Sequence, residues 1–169
     1  PAPPRAPQGQ VRLRGVGAEK AFDLNGPNRC ELLTTTAWKA IVARLGPDPL
    51  RSDADPEKAW RRIERSRAPI GTLLLDQSVI AGVGNVYRSE VLFLLGIHPE
   101  TPGRDLVRYN RIIIADPKDI GKPRSRMNRE ERLQVYKRQH CITCDTPIAT
   151  WELGARRIYA CPACQPLAA

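Results

Sequence analysis

Four cysteines close together near the end of the chain constrain its fold more than any other feature. They form two pairs with the spacing C-x2-C-x16-C-x2-C, at Cys141, Cys144, Cys161 and Cys164. The short gap lets both sulfurs of a pair face one ion, and the 16 residues between the pairs are enough for a β-hairpin. Such a set can place four thiolates at the corners of a tetrahedron, the geometry that Zn²⁺ adopts in structural sites. Because all four ligands come from the protein, we predict a structural rather than a catalytic zinc.

Two disulfides are the alternative use of these cysteines. Disulfides are typical of secreted proteins, and no charged and then apolar secretory signal opens this sequence. The fifth cysteine, Cys30, has no second cysteine at a close spacing. We interpret it as a small, partly buried residue rather than as a nucleophile.

The charge balance indicates the kind of partner. The chain carries 27 Lys and Arg against 18 Asp and Glu, a net charge of +9, and residues 104–169 contribute +6 of it from 13 basic and 7 acidic residues. Such an excess favours a polyanion, because each neutralised phosphate releases counterions. The alternative is a well-solvated basic surface. The sequence has no run of about 18 apolar residues that would span a membrane, so we expect a cytoplasmic, nucleoid-associated protein without membrane contact.

The hydrophobic pattern predicts a mixture of strands and helices. Alternating apolar residues from Val11 to Leu24, broken by a glycine turn, indicate a β-hairpin or the last strands of a sheet. Apolar residues at helical spacing predict a helical unit over 34–96, with helices at 34–45, at 56–67, from Pro69 onward and up to Gly96. In the second of these, Trp60 and Ile63 share one face.

An apolar stretch over residues 76–99, DQSVIAGVGNVYRSEVLFLLGIHP, is interrupted by the permissive turn AGVGN. Gly82 and Gly84 carry no side chain, so the turn exposes main-chain N–H groups, and the helix that follows presents its positive end. A phosphate can bind such a site without any base being read. The alternative is that the glycines only permit a close crossing of two helices, and these residues alone favour neither interpretation.

Two long segments resemble one known family. LLLDQSVIAGVGNVYRSEVLFLLGIHPETPG and QVYKRQHCITCDTPIATWELGARRIYACPACQ, with RLGPDPL upstream, are similar to the formamidopyrimidine-DNA glycosylase / endonuclease VIII family of base-excision repair enzymes. The resemblance implies an α+β fold with an N-terminal β-sandwich, a helix–two-turn–helix domain and a C-terminal zinc β-hairpin. It also implies enzymes that flip a damaged base out, excise it and cut the strand by β,δ-elimination, with the amine of an N-terminal proline as nucleophile. We favour the endonuclease VIII-like branch, which prefers oxidised pyrimidines.

The resemblance further implies which residues bind DNA. The family's asparagine after the GVG turn contacts a backbone phosphate beside the lesion, and here this is Asn85, next to Gly84. An arginine five residues before the third zinc cysteine grips phosphates near the flipped nucleotide, and here this is Arg156. A guanidinium offers a planar fork of donors that suits phosphate oxygens; the alternative is a solvated arginine at a hairpin tip. His98 also matches a family position, and we interpret it as structural.

By this resemblance the chain divides into four parts. They are the last strands and a loop of the sandwich at 1–33, the helix–two-turn–helix DNA-binding domain at 34–107, a basic strand and lid-like loop at 108–139, and the zinc-finger β-hairpin at 140–169. Residues 119–132 fall where the family has a mobile loop over the flipped base. The segment NGPNRC, residues 25–30, falls near a loop that fills the gap in the duplex.

The start of the chain departs from the family pattern. Family members begin Pro-Glu, whereas Pro1 is followed by Ala2 and a proline-rich segment, so we carry no catalytic role onto Pro1 and assign no catalytic residue. The family's catalytic lysine and most of its sandwich strands have no counterpart before Val11, and a second gap is predicted after Val107.

Three hypotheses about function follow. The first is a base-excision DNA glycosylase with AP-lyase activity on oxidised bases, a monomer that acts on double-stranded DNA with a damaged base or an abasic site. The second is a non-enzymatic DNA-binding module on the same scaffold, which the unrecognised nucleophile supports. The third, a zinc-ribbon RNA-binding or ribosomal protein, fits the order of the motifs poorly. We adopt the first for the parent protein.

Overall fold

The computed structural model describes residues 5–26, 30–106 and 133–167. The strand-like segment and the lid-like loop predicted over 108–132 lie outside these residues, as does Pro1. Contacts divide the chain into two compact units, with the boundary between Ala43 and Arg44. Among the residues that the structure describes, no helix is long and apolar enough to cross a membrane.

The first unit is a β-hairpin and one helix. Strand β1 (Val11–Val16) pairs antiparallel with β2 (Ala21–Asn25), and helix α1 covers Thr35–Val42. The Thr34 hydroxyl caps α1 by accepting the N–H of Ala37 at 3.2 Å. The helix ends at Val42, three residues before the predicted end at Leu45. Cys30 is exposed, so the prediction that it is partly buried is wrong.

The second unit begins with three helices. Helix α2 covers Pro56–Ile63, α3 covers Ile70–Leu73 and α4 covers Asn85–Leu94; a 3₁₀ turn follows at Gly103–Asp105. The Asp55 carboxylate caps α2 by accepting the N–H of Glu57 at 3.0 Å, and Pro56 lies in the first turn of the helix. Helix α2 ends before the predicted Arg67 because the Ser66 hydroxyl takes the N–H of Ala68, just before Pro69.

Helix α3 is only four residues long, although the apolar pattern predicts a longer one. The Asp76 carboxylate accepts both the N–H and the hydroxyl of Ser78, which gives the chain a local alternative to helix at that point. These bonds also hold the pKa of Asp76 below its usual value, first through the Ser78 hydroxyl. The chain therefore turns between α3 and α4 instead of continuing as a helix.

The core of the second unit lies between these helices and the turns that join them. Its buried side chains are Trp60, Ile63, Ile70, Leu73, Leu74, Val79, Ile80, Val83, Val91, Leu92 and Ile97. The Gly103 Cα approaches the carbonyl of Ile63 so closely that a Cβ would lie 2.4 Å from that oxygen, which only glycine permits. The apolar spacing in the sequence correctly predicts that Trp60 and Ile63 of α2 face the core.

The C-terminal part is a second β-hairpin. Strand β3 (Ala149–Glu152) pairs antiparallel with β4 (Arg157–Ala160), and the turn contains Gly154 and Ala155, both at positive φ. The predicted pair of strands joined near Gly154 is thus confirmed, and so is the α+β fold class. The His98 ring stacks on Trp151 with 5.5 Å between centroids, which agrees with a structural role for this histidine.

Candidate nucleic-acid interface and metal centre

Helix α4 starts directly after the glycine turn. Gly84 is its N-terminal cap and has no side chain to bond the first N–H groups, which have no partner within a helix. Gly82 has φ of 82°, a left-handed conformation that favours glycine, while Asn85 already lies in the helix. The turn therefore presents the positive end of a ten-residue helix, with main-chain donors, at an exposed glycine.

Arg88, one turn further along α4, is completely buried. Its guanidinium donates to the Asn85 side-chain oxygen at 2.9 Å, to the Gly71 carbonyl at 2.7 Å and to the Arg156 carbonyl at 3.1 Å. Burial lowers the pKa of Arg88, and the charge of Arg156 lowers it further. One buried cation thus joins α3, α4 and the tip of the β3–β4 hairpin.

Asn85 and the hairpin tip are also bonded directly. The Asn85 amide donates to the Arg157 carbonyl at 2.9 Å, across 72 residues of sequence. The two residues that the resemblance assigns to phosphates, Asn85 and Arg156, are therefore brought to one place, which the sequence alone did not indicate. Their contact with DNA stays a prediction, as does that of Gly84. The side chain of Asn85 also has a structural task, because both ends of its amide bond the protein.

Arg156 is exposed beside the hairpin turn. Its carbonyl accepts two hydrogen bonds, one from the N–H of Leu153 at 2.9 Å and one from the guanidinium of Arg88. Arg157, the next residue, is exposed too. The backbone at the tip is therefore fixed while two guanidinium groups remain in solvent.

The four predicted zinc ligands meet at the base of the hairpin. Their sulfur atoms all lie within 4.8 Å of one another. The Cys144 sulfur lies 3.5 Å from those of Cys161 and Cys164, and the sulfurs of Cys141 and Cys164 are 3.8 Å apart. Disulfide sulfurs are about 2.05 Å apart, so the alternative of two disulfides is wrong. A tetrahedral zinc with bonds of about 2.3 Å places its sulfurs about 3.8 Å apart, so the set fits one such ion.

The chemistry of the four thiols also suits a dication. Hydrogen bonding with Thr146 lowers the pKa of Cys144 to about 6, whereas the hydrogen bond with Cys144 raises that of Cys164 to about 12. Burial raises the pKa of the Cys161 thiol. One thiolate thus makes its neighbours keep their protons, because several negative charges cannot share so small a volume unaided. A divalent cation would let all four sulfurs ionise and coordinate.

Two further polar side chains join α4, or the turn after it, to the C-terminal part of the chain. Buried Gln165 accepts the N–H of Cys161 at 3.0 Å and donates to the Ile97 carbonyl at 2.7 Å. The Glu90 carboxylate accepts three consecutive main-chain N–H groups, at 2.6, 3.1 and 2.8 Å, from residues 134–136. Sequence reasoning missed both residues and Arg88. The available signal was a polar residue inside an otherwise apolar stretch, as with Arg88 and Glu90 in α4.

Comparison with known proteins gives a consistent result. The family model described as formamidopyrimidine-DNA glycosylase H2TH domain matches residues 45–116. A Mycobacterium bovis protein named endonuclease 8 1 is 48% identical over an alignment of 181 positions, gaps included, that covers 94% of this chain and 67% of the relative.

Two crystal structures have the same fold over most of the chain. The MutM (Fpg) protein of Thermus thermophilus has a TM-score of 0.72 at 25% identity, covering 95% of this chain and 70% of that one. Lactococcus lactis Fpg (MutM) in complex with FAPY-dG-containing DNA has a TM-score of 0.62 at 27% identity, covering 78% and 55%. The chain therefore spans about two thirds of the mycobacterial relative and little more than half of the lactococcal protein.

Proposed function

This chain belongs to the formamidopyrimidine-DNA glycosylase / endonuclease VIII family, and on that premise we propose that its parent protein is a base-excision repair DNA glycosylase with AP-lyase activity on oxidised bases. Gly84, Asn85 and Arg156 would bind the backbone of double-stranded DNA that contains a damaged base or an abasic site. The observation that carries the proposal is the bonded junction between the start of α4 and the hairpin tip. It comprises the Asn85 bond to the Arg157 carbonyl and the Arg88 bond to the Arg156 carbonyl.

This junction has the chemistry of a phosphate site. The uncapped N-terminus of α4 offers main-chain donors and a positive dipole end, and the exposed guanidinium of Arg156 offers a planar set of charged donors. Neither group distinguishes one base from another. This suits an enzyme that must hold the DNA backbone near a lesion whatever the surrounding base sequence. Asn85 has a second amide hydrogen available for a phosphate oxygen while the first bonds Arg157.

Zinc would be held by Cys141, Cys144, Cys161 and Cys164 and would cross-link the two ends of the hairpin, with no open position for catalysis. Its task would be to keep the Arg156 tip against α4. The short hairpin buries only a few side chains of its own, so metal ligation would supply much of its folding free energy.

The chemistry itself is assigned to no described residue. The resemblance implies an N-terminal proline amine, and Pro1 is followed by Ala2 rather than glutamate. The mycobacterial relative named endonuclease 8 supports the endonuclease VIII-like branch. A monomer at the nucleoid, in the cytoplasm, fits this function.

Binding to a duplex that carries an abasic-site analogue tests the proposal. We expect the zinc-loaded protein to prefer that duplex to undamaged duplex and to structured RNA. Arg156→Ala is expected to weaken binding and to lower the slope of log affinity against log salt by about one unit, at an unchanged melting temperature. Arg65→Ala, which removes an equal charge from an exposed position just after α2, is the matched control. Equal losses from both variants, or no preference for the abasic duplex, would refute the proposed interface.

Borohydride trapping separates the enzyme from a DNA-binding module without catalysis. A polypeptide of these 169 residues is expected to give no covalent adduct above background, because the amine of Pro1 has no glutamate beside it. The parent protein with a Pro-Glu start is expected to trap readily. Binding without trapping in that parent protein would favour the non-enzymatic module.

A further inference from the structure

One glutamine side chain spans the turn that leads into α4. The Gln77 amide donates to the Val83 carbonyl at 2.8 Å and to the Leu75 carbonyl at 3.2 Å, and its oxygen accepts the N–H of Gly82 at 2.9 Å. All of these partners are main-chain groups, within six residues of Gln77. The side chain therefore bonds main-chain groups at both ends of the turn between α3 and α4.

The main chain of Gln77 is itself anchored. Its carbonyl accepts the N–H of Gly46 at 2.8 Å, and the Pro47 carbonyl accepts the N–H of Ala81 at 3.0 Å. The connector before α2 thus packs on the outside of the turn, so closely that a Cβ at Gly46 would lie 2.4 Å from the Val79 carbonyl oxygen. With its backbone fixed in this way, the side chain of Gln77 is directed across the turn.

The groups that Gln77 bonds are those next to the candidate phosphate site. Gly82 has the positive φ that redirects the chain, and Val83 directly precedes the cap residue Gly84. Glycines without side chains allow many backbone angles, so packing restrains them little. The amide of Gln77 bonds the Gly82 N–H and the Val83 carbonyl, the groups that lead directly to the cap residue Gly84.

We propose that Gln77 is a positioning residue for the phosphate site: it holds the Gly82–Gly84 backbone in the conformation that receives the anion and does not touch the anion itself. This inference rests on the proposed DNA-binding function for its consequence. Its structural premise, the restraint of Gly82 by Gln77, is testable without DNA.

The test compares Gln77→Leu with Gln139→Leu in the zinc-loaded protein. Leucine has a similar size to glutamine but cannot form any of the three bonds. Gln139 is exposed, and no side-chain hydrogen bond of it is recorded among the described residues, so it serves as the matched control. Amide hydrogen exchange of the free protein is measured at Gly82 and, as an internal reference, at Leu92 in the core of α4.

We expect Gln77→Leu to accelerate exchange at Gly82 with little change at Leu92, and Gln139→Leu to change neither. Affinity for the abasic-site duplex is expected to fall roughly tenfold in Gln77→Leu. The salt slope is expected to stay at its parent value, because a neutral residue releases no counterions. Gln77→Glu keeps an oxygen for the Gly82 N–H but replaces the donor to the Val83 carbonyl by an acceptor, so protection at Gly82 is expected to lie between those of the parent and Gln77→Leu. It is the second variant to measure where the leucine variant is too unstable to study.

Three results would overturn the proposal. Weaker DNA binding with unchanged exchange at Gly82 would mean that Gln77 contacts the DNA directly. Equal acceleration at Gly82 and Leu92 would mean that it only stabilises the domain as a whole. Unchanged affinity despite faster exchange at Gly82 would mean that the turn conformation does not matter for binding. A parent protein that fails to bind the duplex would refute the proposed function, while the exchange measurement would still decide whether Gln77 restrains the turn.

Discussion

Replacing Arg88 by methionine is expected to separate the hairpin tip from α4. The substitution keeps a long side chain in the buried space but removes the donors to the Asn85 side chain and to the Gly71 and Arg156 carbonyls. An acceptor left buried without a donor costs about 1–3 kcal/mol, and three neutral acceptors each lose a donor here. Relief from burying a guanidinium, whose pKa burial lowers, offsets part of this. We therefore expect the free energy of unfolding to fall by about 2–4 kcal/mol.

Urea denaturation of the zinc-loaded protein measures this loss. Arg65→Met is the matched control, since Arg65 is exposed just after α2 and its replacement is expected to change stability by less than about 0.5 kcal/mol. Arg88→Lys retains the charge but not the fork of donors, so its stability is expected to lie between those of the parent and Arg88→Met. At a temperature where all variants are folded, Arg88→Met is also expected to bind the abasic duplex more weakly. A loss below about 1 kcal/mol, together with parent-like DNA affinity, would show that Arg88 does not connect the two elements.

Three more predictions concern the cysteine cluster and the segment that precedes it. Cys144→Ser is expected to lose stoichiometric zinc by elemental analysis and to unfold the hairpin while α2–α4 stay folded; an unmutated protein without zinc would contradict the site. Acid is expected to release the metal, because protons compete with it for the four sulfurs and the Cys144 thiol, whose pKa is lowered to about 6 in the metal-free site, is itself protonated below that value. A chromogenic chelator measures the release as the pH falls, and metal binding that did not weaken with acid would refute this reasoning. Glu90→Gln is expected to speed amide exchange at residues 134–136 and to lower the free energy of unfolding by about 1–2 kcal/mol. Glu64→Gln, at the exposed C-terminal end of α2, is the control. Equal exchange in the two variants would show that Glu90 does not hold this segment.

Local patterns predicted much of this architecture correctly. The cysteine spacing identified four sulfurs that lie together in the structure, because two residues between ligands and a hairpin between pairs leave few other geometries. The two helix starts were predicted to within one residue, because threonines that can cap a helix mark the first and a proline suited to a first turn marks the second. The helix ends were less predictable, since side chains such as Ser66 and Asp76 compete with the main chain near those points.

The junction of α4 and the hairpin shows most clearly what the sequence determined and what only the tertiary structure decided. The sequence by itself determined the cluster of four cysteines, the glycine turn and the elements that carry Asn85 and Arg156, because these depend on spacing along a short segment. Only the tertiary structure decided that Arg88 lies buried between them and that Asn85 bonds Arg157 across 72 residues. The physical reason is that the acceptors are main-chain carbonyls, which every residue has. Such a partner leaves no mark in the sequence, so the bond becomes visible only when folding brings the two segments together.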